Sequence, residues 1–193
     1  MILKKSFIDS LYLSPQSVFS SKEIAILTKE ADPLSLKSKL AYYVRRGKLV
    51  RLRKGFYAKP EKYEKKEFAV RLYTPSYISF ETVLAQEGII FQYYATIFVA
   101  SYVSREIQLS DATFRYRKVK DAILLNRKGI VDKDGFFEAS KERAFLDMLY
   151  SNPKYYFDNL RSIDWDACFD LVSLYQKKSL EKTLKEYYNL YAK

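Results

Sequence analysis

The spacing of hydrophobic and polar positions predicts three helices in the first 45 residues. The first helix is predicted over about residues 2–13, because apolar positions recur there near helical spacing and Pro15 follows them. These apolar positions are Ile2, Leu3, Phe7, Ile8, Leu11 and Leu13.

The second helix is predicted by two signals at its start, and it should end near residue 29. Ser20 and Glu23 have the spacing of a capping box, while Phe19 and Ile24 have the spacing of a hydrophobic staple. The side chains expected to face inward are Ile24 and Leu27.

Asp32 and Pro33 predict the start of the third helix, since Asp is a favoured N-cap and Pro fits the first helical position. Gly47 is expected to end this helix. Two strand-like runs follow, and Arg53-Lys54-Gly55 between them fits a tight turn in which Gly supplies a positive φ. The apolar stripe of the third helix is Leu36, Leu40, Tyr43 and Val44.

Beyond residue 60 the pattern predicts a mixture of helices and strands. Residues 61–72 mix charges at helical spacing and are predicted to form a linker. Ser79 is expected to cap a helix that ends at Gly88, and the apolar run 95–103 is predicted to be a buried strand. Residues 112–119 alternate, which predicts a half-buried strand with a basic outer face. The side chains expected to be buried around the Ser79 helix are Tyr77, Phe80, Val83 and Leu84.

The last third of the chain is predicted to be mainly helical. An Asp-Gly turn at 132–135 predicts a hairpin, and Ser140 is expected to cap the helix that follows it. Arg143 and Asp147 are four residues apart in that helix, which predicts a surface or half-buried ion pair. The tail, about 153–193, is predicted to contain two helices. Their expected caps and ranges are Asp164 for 165–176 and Ser179 for 180–191.

Charge is distributed unevenly along the chain, whose net charge is +11. Residues 1–60 carry thirteen Lys and Arg against four Asp and Glu, whereas residues 61–193 are close to neutral. Between Asp32 and Glu61 there are nine basic residues and no acidic one. This asymmetry predicts a small basic domain, 1–60, followed by a second domain, 61–193.

The basic stretch coincides with three predicted helices and a hairpin, which is the order of a winged helix-turn-helix. A positive surface of this kind favours the phosphate backbone of double-stranded DNA. In this arrangement the third helix enters the major groove and the hairpin contacts backbone or minor groove. A solvated surface or a protein-contacting winged helix are the alternatives. We expect the major-groove residues to be Ser35, Ser38, Tyr42 and Arg45. We expect contacts to phosphates or the minor groove from Lys37, Arg46, Arg51, Arg53 and Lys54.

Several classes of site are excluded or disfavoured by composition. The chain has no His and a single Cys, Cys168, so a Cys/His metal site and an intramolecular disulfide cannot form. No cofactor and no metal are expected, although a metal held by carboxylates alone stays open. No signal peptide or membrane-length apolar run is found, and a cytoplasmic location is expected.

Several stretches, in order and at similar spacing, resemble the AbiEi-type antitoxins, which are transcriptional regulators of type IV (AbiE) toxin–antitoxin systems. The resemblance covers about residues 17–160. Its main blocks are VFSSKEIAILT, LSLKSKLAYYVRRGKLVRLRKGFYAKP, YTPSYISFETVLAQEGII, ATIFVAS, ATFRYRKVK and EASKERAFLDMLY. Lys141 stands where the family often has Pro, and Phe145 replaces a Leu.

The resemblance implies an α+β fold, with an N-terminal winged helix-turn-helix followed by an α+β antitoxin domain and a helical C-terminal tail. It also implies a protein of abortive phage-infection systems that binds inverted repeats in its own promoter and represses it. No enzymatic activity is expected. The second domain would counteract a nucleotidyltransferase-like toxin, and a stable complex is not assumed. Candidate residues for antitoxicity are Glu81, Arg115, Arg117, Arg143 and Asp147.

Two other functions stay open from the sequence. One is a stand-alone winged-helix regulator whose second domain senses a small ligand. The other is a metal-dependent nuclease, suggested only by the short match Glu64-Lys65-Lys66.

Overall fold

The computed structural model of the chain describes residues 6–60 and 63–192 and shows a mixed α+β protein. Its residues divide into two compact units, Met1–Phe68 and Ala69–Lys193. This division falls eight residues after the predicted boundary between residues 60 and 61.

The first unit combines short helices with a three-stranded sheet. The strand order is β1-β3-β2, and both pairings are antiparallel. Its elements are α1 (Phe7–Tyr12), β1 (Val18–Ser20), α2 (Ser21–Thr28), α3 (Pro33–Arg45), β2 (Val50–Arg53) and β3 (Phe56–Ala58). A fourth helix, α4 (Lys65–Leu72), includes residues of both units.

Local signals position α2 and α3 as predicted. Ser20 and Glu23 form the complete capping box of α2, and Asp32 accepts hydrogen bonds from two backbone N–H groups at the start of α3. After α3, Gly47 has a φ of 65°. The N–H of Lys48 donates to the carbonyl of Tyr43 at 2.9 Å, which is the bond expected of a glycine-terminated helix.

The core of the first unit is small and apolar. Five fully buried side chains come from α1, β1, α2, α3 and the residue before β2: Leu11, Phe19, Ile24, Leu40 and Leu49. The predicted stripe of α3 packs against them. Leu27 is 39% exposed, so its predicted inward orientation is wrong, because α2 buries only the face that carries Ile24.

Two other predictions for this part of the chain need correction. The first helix begins at Phe7, because the Ser6 side chain caps it there, and the predicted residues 2–5 lie outside the described part. The segment 61–72 is not a simple linker: Lys65–Leu72 forms α4, and Phe68 and Ala69 are fully buried. Within the first unit, the Glu67 carboxylate accepts from the Ser17 N–H at 3.0 Å and the Ser17 hydroxyl at 2.6 Å.

The second unit contains a six-stranded mixed sheet and five helices in its described residues. The strand order is β6-β7-β5-β4-β9-β8, with parallel pairing only between β5 and β7 and between β4 and β9. Its strands are β4 (Ser76–Ile78), β5 (Thr96–Ser101), β6 (Arg105–Gln108), β7 (Thr113–Lys118), β8 (Ile130–Asp132) and β9 (Phe137–Ala139). Its helices are α5 (Glu81–Gln86), α6 (Asp121–Leu124), α7 (Lys141–Ser151), α8 (Trp165–Val172) and α9 (Lys178–Tyr191).

Helix α7 is the centre of the second unit, and eight consecutive residues of it are buried. It packs against α5, β9, α8 and α9. The caps predicted at Ser140 and Asp164 are confirmed, as are the buried strand β5 and the alternating strand β7. The predicted Asp-Gly turn joins β8 to β9.

Two predicted caps of the second unit are wrong. The N-cap of α5 is Phe80, and the Ser79 hydroxyl instead donates to Asp147 at 2.7 Å. The N-cap of α9 is Lys177, which places Ser179 inside the helix. The helix expected over 165–176 ends at Val172, and a 3-10 turn follows at Ser173–Tyr175.

Candidate nucleic-acid interface

Helix α3 presents a polar face opposite its apolar stripe. Ser38, Tyr42 and Arg45 are exposed on that face, and Ser35 is half-buried. The spacing of these residues along α3 places them on one side of the helix. The predicted groove-facing residues therefore share one surface, which is the geometry that base contacts from a helix need.

The Tyr42 ring contacts two neighbouring side chains of α3 and its C-terminal end. It meets the Tyr43 ring edge-on at 5.2 Å between centroids, and the Arg46 guanidinium lies 5.5 Å from its centroid. Tyr43 in turn stacks on Phe7 at 5.3 Å. Packing on Tyr42 restricts the rotamers of Arg46 and keeps its charge beside the polar face of α3.

The β2–β3 hairpin carries exposed Arg51, Arg53 and Lys54 at and near its tip. Gly55 has a φ of 82° and closes the turn, as predicted. The Gly55 carbonyl accepts from the Ser21 N–H at 2.8 Å and from the Ser21 hydroxyl at 3.2 Å. These bonds attach the basic tip to the start of α2 and fix its position within the unit.

Two of the nine basic residues between Asp32 and Glu61 have their ammonium groups bonded to oxygen atoms of the first unit. Lys39 forms an ion pair with Glu30, which lowers the pKa of Glu30. The Lys59 ammonium donates to the Ser14 carbonyl at 2.7 Å, and burial is the main cause that lowers its pKa. Neither is available as a free surface charge.

The other seven basic residues are exposed, and within residues 6–60 and 63–192 none of them forms an ion pair. They are Lys37, Arg45, Arg46, Lys48, Arg51, Arg53 and Lys54. Several positive side chains without ion-pair partners on one small unit concentrate positive potential there. This surface, which we call the basic face, can bind a polyanion without first breaking internal ion pairs.

The candidate residues of the second unit fall into exposed and buried groups. Arg115 is exposed and pairs with Glu106 at 2.6 Å. Arg117 pairs with the buried Glu81 at 2.5 Å. Its guanidinium lies 4.8 Å from the Phe80 ring centroid and 4.7 Å from that of Phe98. The outer face of β7 is therefore only partly basic and solvated, because Arg117 is half-buried and paired with Glu81.

The turn that positions Glu81 is strained. Phe80 has a φ of 56°, which is costly for a residue with a bulky side chain. Its ring is fully buried, so packing holds this conformation and directs Glu81 toward Arg117. One oxygen of Glu81, Oε2, is buried without a hydrogen-bond partner among the described residues.

Arg143 and Asp147 form a buried pair, contrary to the predicted surface or half-buried one. Both side chains have 0% exposure, with the Arg143 Nε 3.6 Å from Asp147 Oδ1. The Arg143 guanidinium donates to the Ile123 carbonyl at 2.7 Å and to the Lys128 carbonyl at 2.8 Å. Its role in the folded chain is therefore to join α6, the loop before β8 and α7.

Three hydroxyl groups complete this buried network around Asp147. Tyr77 donates to Oδ2 at 3.0 Å and Ser79 to Oδ2 at 2.7 Å, while Tyr175 donates to Oδ1 at 2.7 Å. The hydrophobic pattern marked Tyr77 only as a core position. The network assembles residues from β4, α7 and the 3-10 turn, so no local spacing signal could have identified it.

Burial and partners act in opposite directions on the two charges. Burial raises the pKa of Asp147, although Arg143 and the three hydroxyl donors act to lower it. Burial alone would lower the pKa of Arg143, but Tyr175, Asp147 and Tyr77 outweigh it and raise that pKa. Arg143 therefore stays cationic, and its buried charge depends on Asp147 and on the carbonyl acceptors.

Among residues 6–60 and 63–192, no group of three or more Cys, Asp or Glu is placed to hold a metal ion. No helix in the same ranges has the length and apolar character needed to cross a membrane.

Comparisons with known proteins leave the family undetermined. No family model matches the chain, and no curated protein matches it. Among solved structures, the chain is similar to the crystal structure of the RV2827C protein from Mycobacterium tuberculosis, at 14% identity and a TM-score of 0.49. That similarity covers 92% of this chain and 69% of the other.

Proposed function

We propose that this chain is a non-enzymatic, DNA-binding antitoxin of the AbiEi type, which represses its own promoter and counteracts a nucleotidyltransferase-like toxin. The observation that carries the proposal is the basic face, seven exposed cations without ion-pair partners in the described residues of one small unit. The resemblance of several blocks of the sequence to AbiEi-type antitoxins supplies the biological role.

The order of elements in the first unit supports a winged helix as the DNA-binding device. Helices α1, α2 and α3 are followed by the β2–β3 hairpin, and β1 adds a third antiparallel strand. In such a domain the last helix occupies the major groove while the hairpin contacts the backbone or the minor groove. Helix α3, directly before the hairpin, would be the helix in the major groove, and the anchored hairpin tip would contact the backbone or the minor groove.

The polar side of α3 and the basic face would contribute different contacts to DNA. Ser35, Ser38, Tyr42 and Arg45 share the polar side of α3 and would contact base edges, with Arg45 suited to a guanine. Phosphate contacts fix register without reading sequence. They would come from Lys37, Arg46, Arg51, Arg53 and Lys54.

Replacing Lys54 with Ala is expected to weaken binding to all DNA duplexes alike. Each phosphate contact contributes roughly 0.9 to the slope of log affinity against log salt concentration, so the slope should fall by about that amount. Lys39→Ala is the matched control, because Lys39 is already paired with Glu30. Fluorescence anisotropy at several salt concentrations measures both slopes. Equal slopes for Lys54→Ala and Lys39→Ala would contradict a phosphate role for the hairpin tip.

The antitoxin half of the proposal is tested by co-expression. If the neighbouring gene encodes a nucleotidyltransferase that arrests growth, this chain expressed from an unrelated promoter should restore growth. An Arg45→Ala variant should rescue as well as the wild type, because protection would depend on the second unit. Failure of the wild-type chain to restore growth would refute the antitoxin role and leave DNA binding untouched.

A second candidate function, a regulator that senses a small ligand, is favoured by one observation in the second unit. A cavity of about 310 Å³ that is partly open to solvent lies there, and four of its seven lining residues are aromatic. Its volume is at the lower end of the range of small-molecule sites.

A further inference from the structure

The cavity lies between the loop before β5 and the segment that follows α7. Four aromatic side chains line it, together with the amide of Gln92 and the carboxylate of Asp158. The four are Phe91, Tyr94, Tyr155 and Tyr156. A cavity walled mainly by rings, with a few polar groups, can accept a small ligand by shape and by ring contact.

The inner part of the cavity is held in place by hydrogen bonds and ring packing. The Tyr94 hydroxyl donates to Gln92 Oε1 at 2.7 Å, and the Tyr94 ring meets Phe98 at 5.5 Å. The Tyr155 ring packs against the Phe157 ring, with 5.1 Å between the centroids. These contacts fix two of the four rings before any ligand arrives, which reduces the entropic cost of binding.

The outer part consists of aromatic side chains that the fold leaves open. Phe91 is 71% exposed and Tyr156 is 75% exposed. Large aromatic groups clustered on a surface commonly mark a binding site, because their apolar area otherwise stays in contact with water. A ligand in this cavity would contact both side chains, since both line it.

The electrostatics of the lining favour a positively charged ligand. Aromatic faces carry negative potential, and Asp158 adds a carboxylate whose Oδ2 accepts from the Phe91 N–H at 2.8 Å. Among the described residues that line the cavity there is no Lys or Arg. An anionic ligand such as a phosphate would find no positive side chain in this lining. A cation would contact aromatic rings and the Asp158 carboxylate.

Two charged side chains that influence the lining residue Tyr155 compensate each other. Glu81 and Arg117 both influence Tyr155, but they form an ion pair with each other. Burial raises the pKa of Tyr155, so its phenol stays neutral at physiological pH. Asp158 is therefore the lining residue that sets the sign of the charge in the cavity.

We propose that this cavity is a binding site for a compact organic cation of the alkylammonium class, held by cation–π contacts to Phe91 and Tyr156 and by the Asp158 carboxylate. Recognition of quaternary ammonium groups by clustered aromatic rings follows the same physics. The proposal concerns only the second unit and is independent of DNA binding by the basic face.

The test is a titration of the full chain with choline and tetramethylammonium, followed by NMR or calorimetry. The neutral isostere 3,3-dimethyl-1-butanol has the shape of choline without its charge. Choline should bind saturably and at least about fivefold more tightly than this isostere. A trimethyllysine peptide, compared with free choline, distinguishes a methylated side chain from a free metabolite as the source of the cation.

Variants of exposed residues keep the test clear of folding defects. Asp158→Asn retains an acceptor for the Phe91 N–H and removes the charge, and Tyr156→Leu removes a ring. Each should weaken choline binding about fivefold to tenfold. Tyr93→Leu is the matched control: Tyr93 is 86% exposed in the same loop and should leave choline binding unchanged. Absence of saturable choline and tetramethylammonium binding, equal binding of the isostere, or insensitivity to both variants would overturn the proposal.

Discussion

Replacing Asp147 with Ala is expected to lower the free energy of unfolding of the second unit by about 3–5 kcal/mol. Asp147 is the acceptor for three hydroxyl groups, of Tyr77, Ser79 and Tyr175. Its removal also leaves the fully buried Arg143 cation without a counter-charge. Because a domain of this size is stable by only about 5–15 kcal/mol, this single change removes a large share of the stability.

Denaturant unfolding of the full chain, followed by circular dichroism and by Trp165 fluorescence, measures this effect. Asp170→Ala is the matched control. Asp170 is exposed on α8, and its carboxylate forms a long ion pair of 4.0 Å with Lys128 at the surface. Such surface pairs contribute little to stability. Asp147→Asn should be intermediate, because the amide oxygen still accepts hydrogen bonds but the charge is lost. A stability of Asp147→Ala equal to that of Asp170→Ala would show that the network does not support the fold.

Replacing Arg45 with Ala is expected to reduce affinity for the chain's own upstream DNA by about 10-fold to 100-fold, with a much smaller effect on a scrambled duplex. Arg45 is exposed on the polar face of α3, where its guanidinium can form two hydrogen bonds to a guanine. Losing such a pair removes discrimination between sequences, whereas losing a phosphate contact does not.

The comparison that isolates this role is between Arg45→Ala and Lys54→Ala on the same two duplexes. Competition binding gives the ratio of affinities for the upstream and scrambled DNA in each variant. The ratio should fall for Arg45→Ala and stay near the wild-type value for Lys54→Ala. If both variants lose affinity for the two duplexes equally, α3 does not read bases through Arg45.

The elements that were predicted correctly are those whose boundaries are set by neighbouring residues. Ser20 with Glu23 sets the start of α2, Asp32 with Pro33 that of α3, and Gly55 the hairpin turn. Each signal acts over three or four residues, so it is present in the sequence before any tertiary contact forms.

Local sequence signals give the wrong structure where long-range contacts override local propensity. Ser79 has the composition of a cap, but its hydroxyl bonds Asp147, 68 residues away in sequence. The short strand β1 has no signal in the sequence, because three residues carry no alternating pattern and become a strand only by pairing with β3. The same holds for β4, which pairs with β5 and β9.

The candidate sites likewise separate into features that local sequence patterns predict and features that depend on long-range packing. The exposed face of α3 followed from helical periodicity, since the buried stripe fixes the opposite side. By contrast, the spacing of Arg143 and Asp147 predicted their pairing but not their burial. Burial depends on Tyr77, Tyr175 and the rest of the second unit packing around them, and no pattern within α7 encodes it.

The most direct test of DNA recognition by the basic face is a titration of the purified chain against its own upstream DNA, with a scrambled duplex as competitor, at two salt concentrations. Sequence-specific recognition predicts tight binding that resists the competitor and weakens as salt increases. Binding that competitor and salt abolish equally would contradict it, because the basic face would then supply only non-specific attraction.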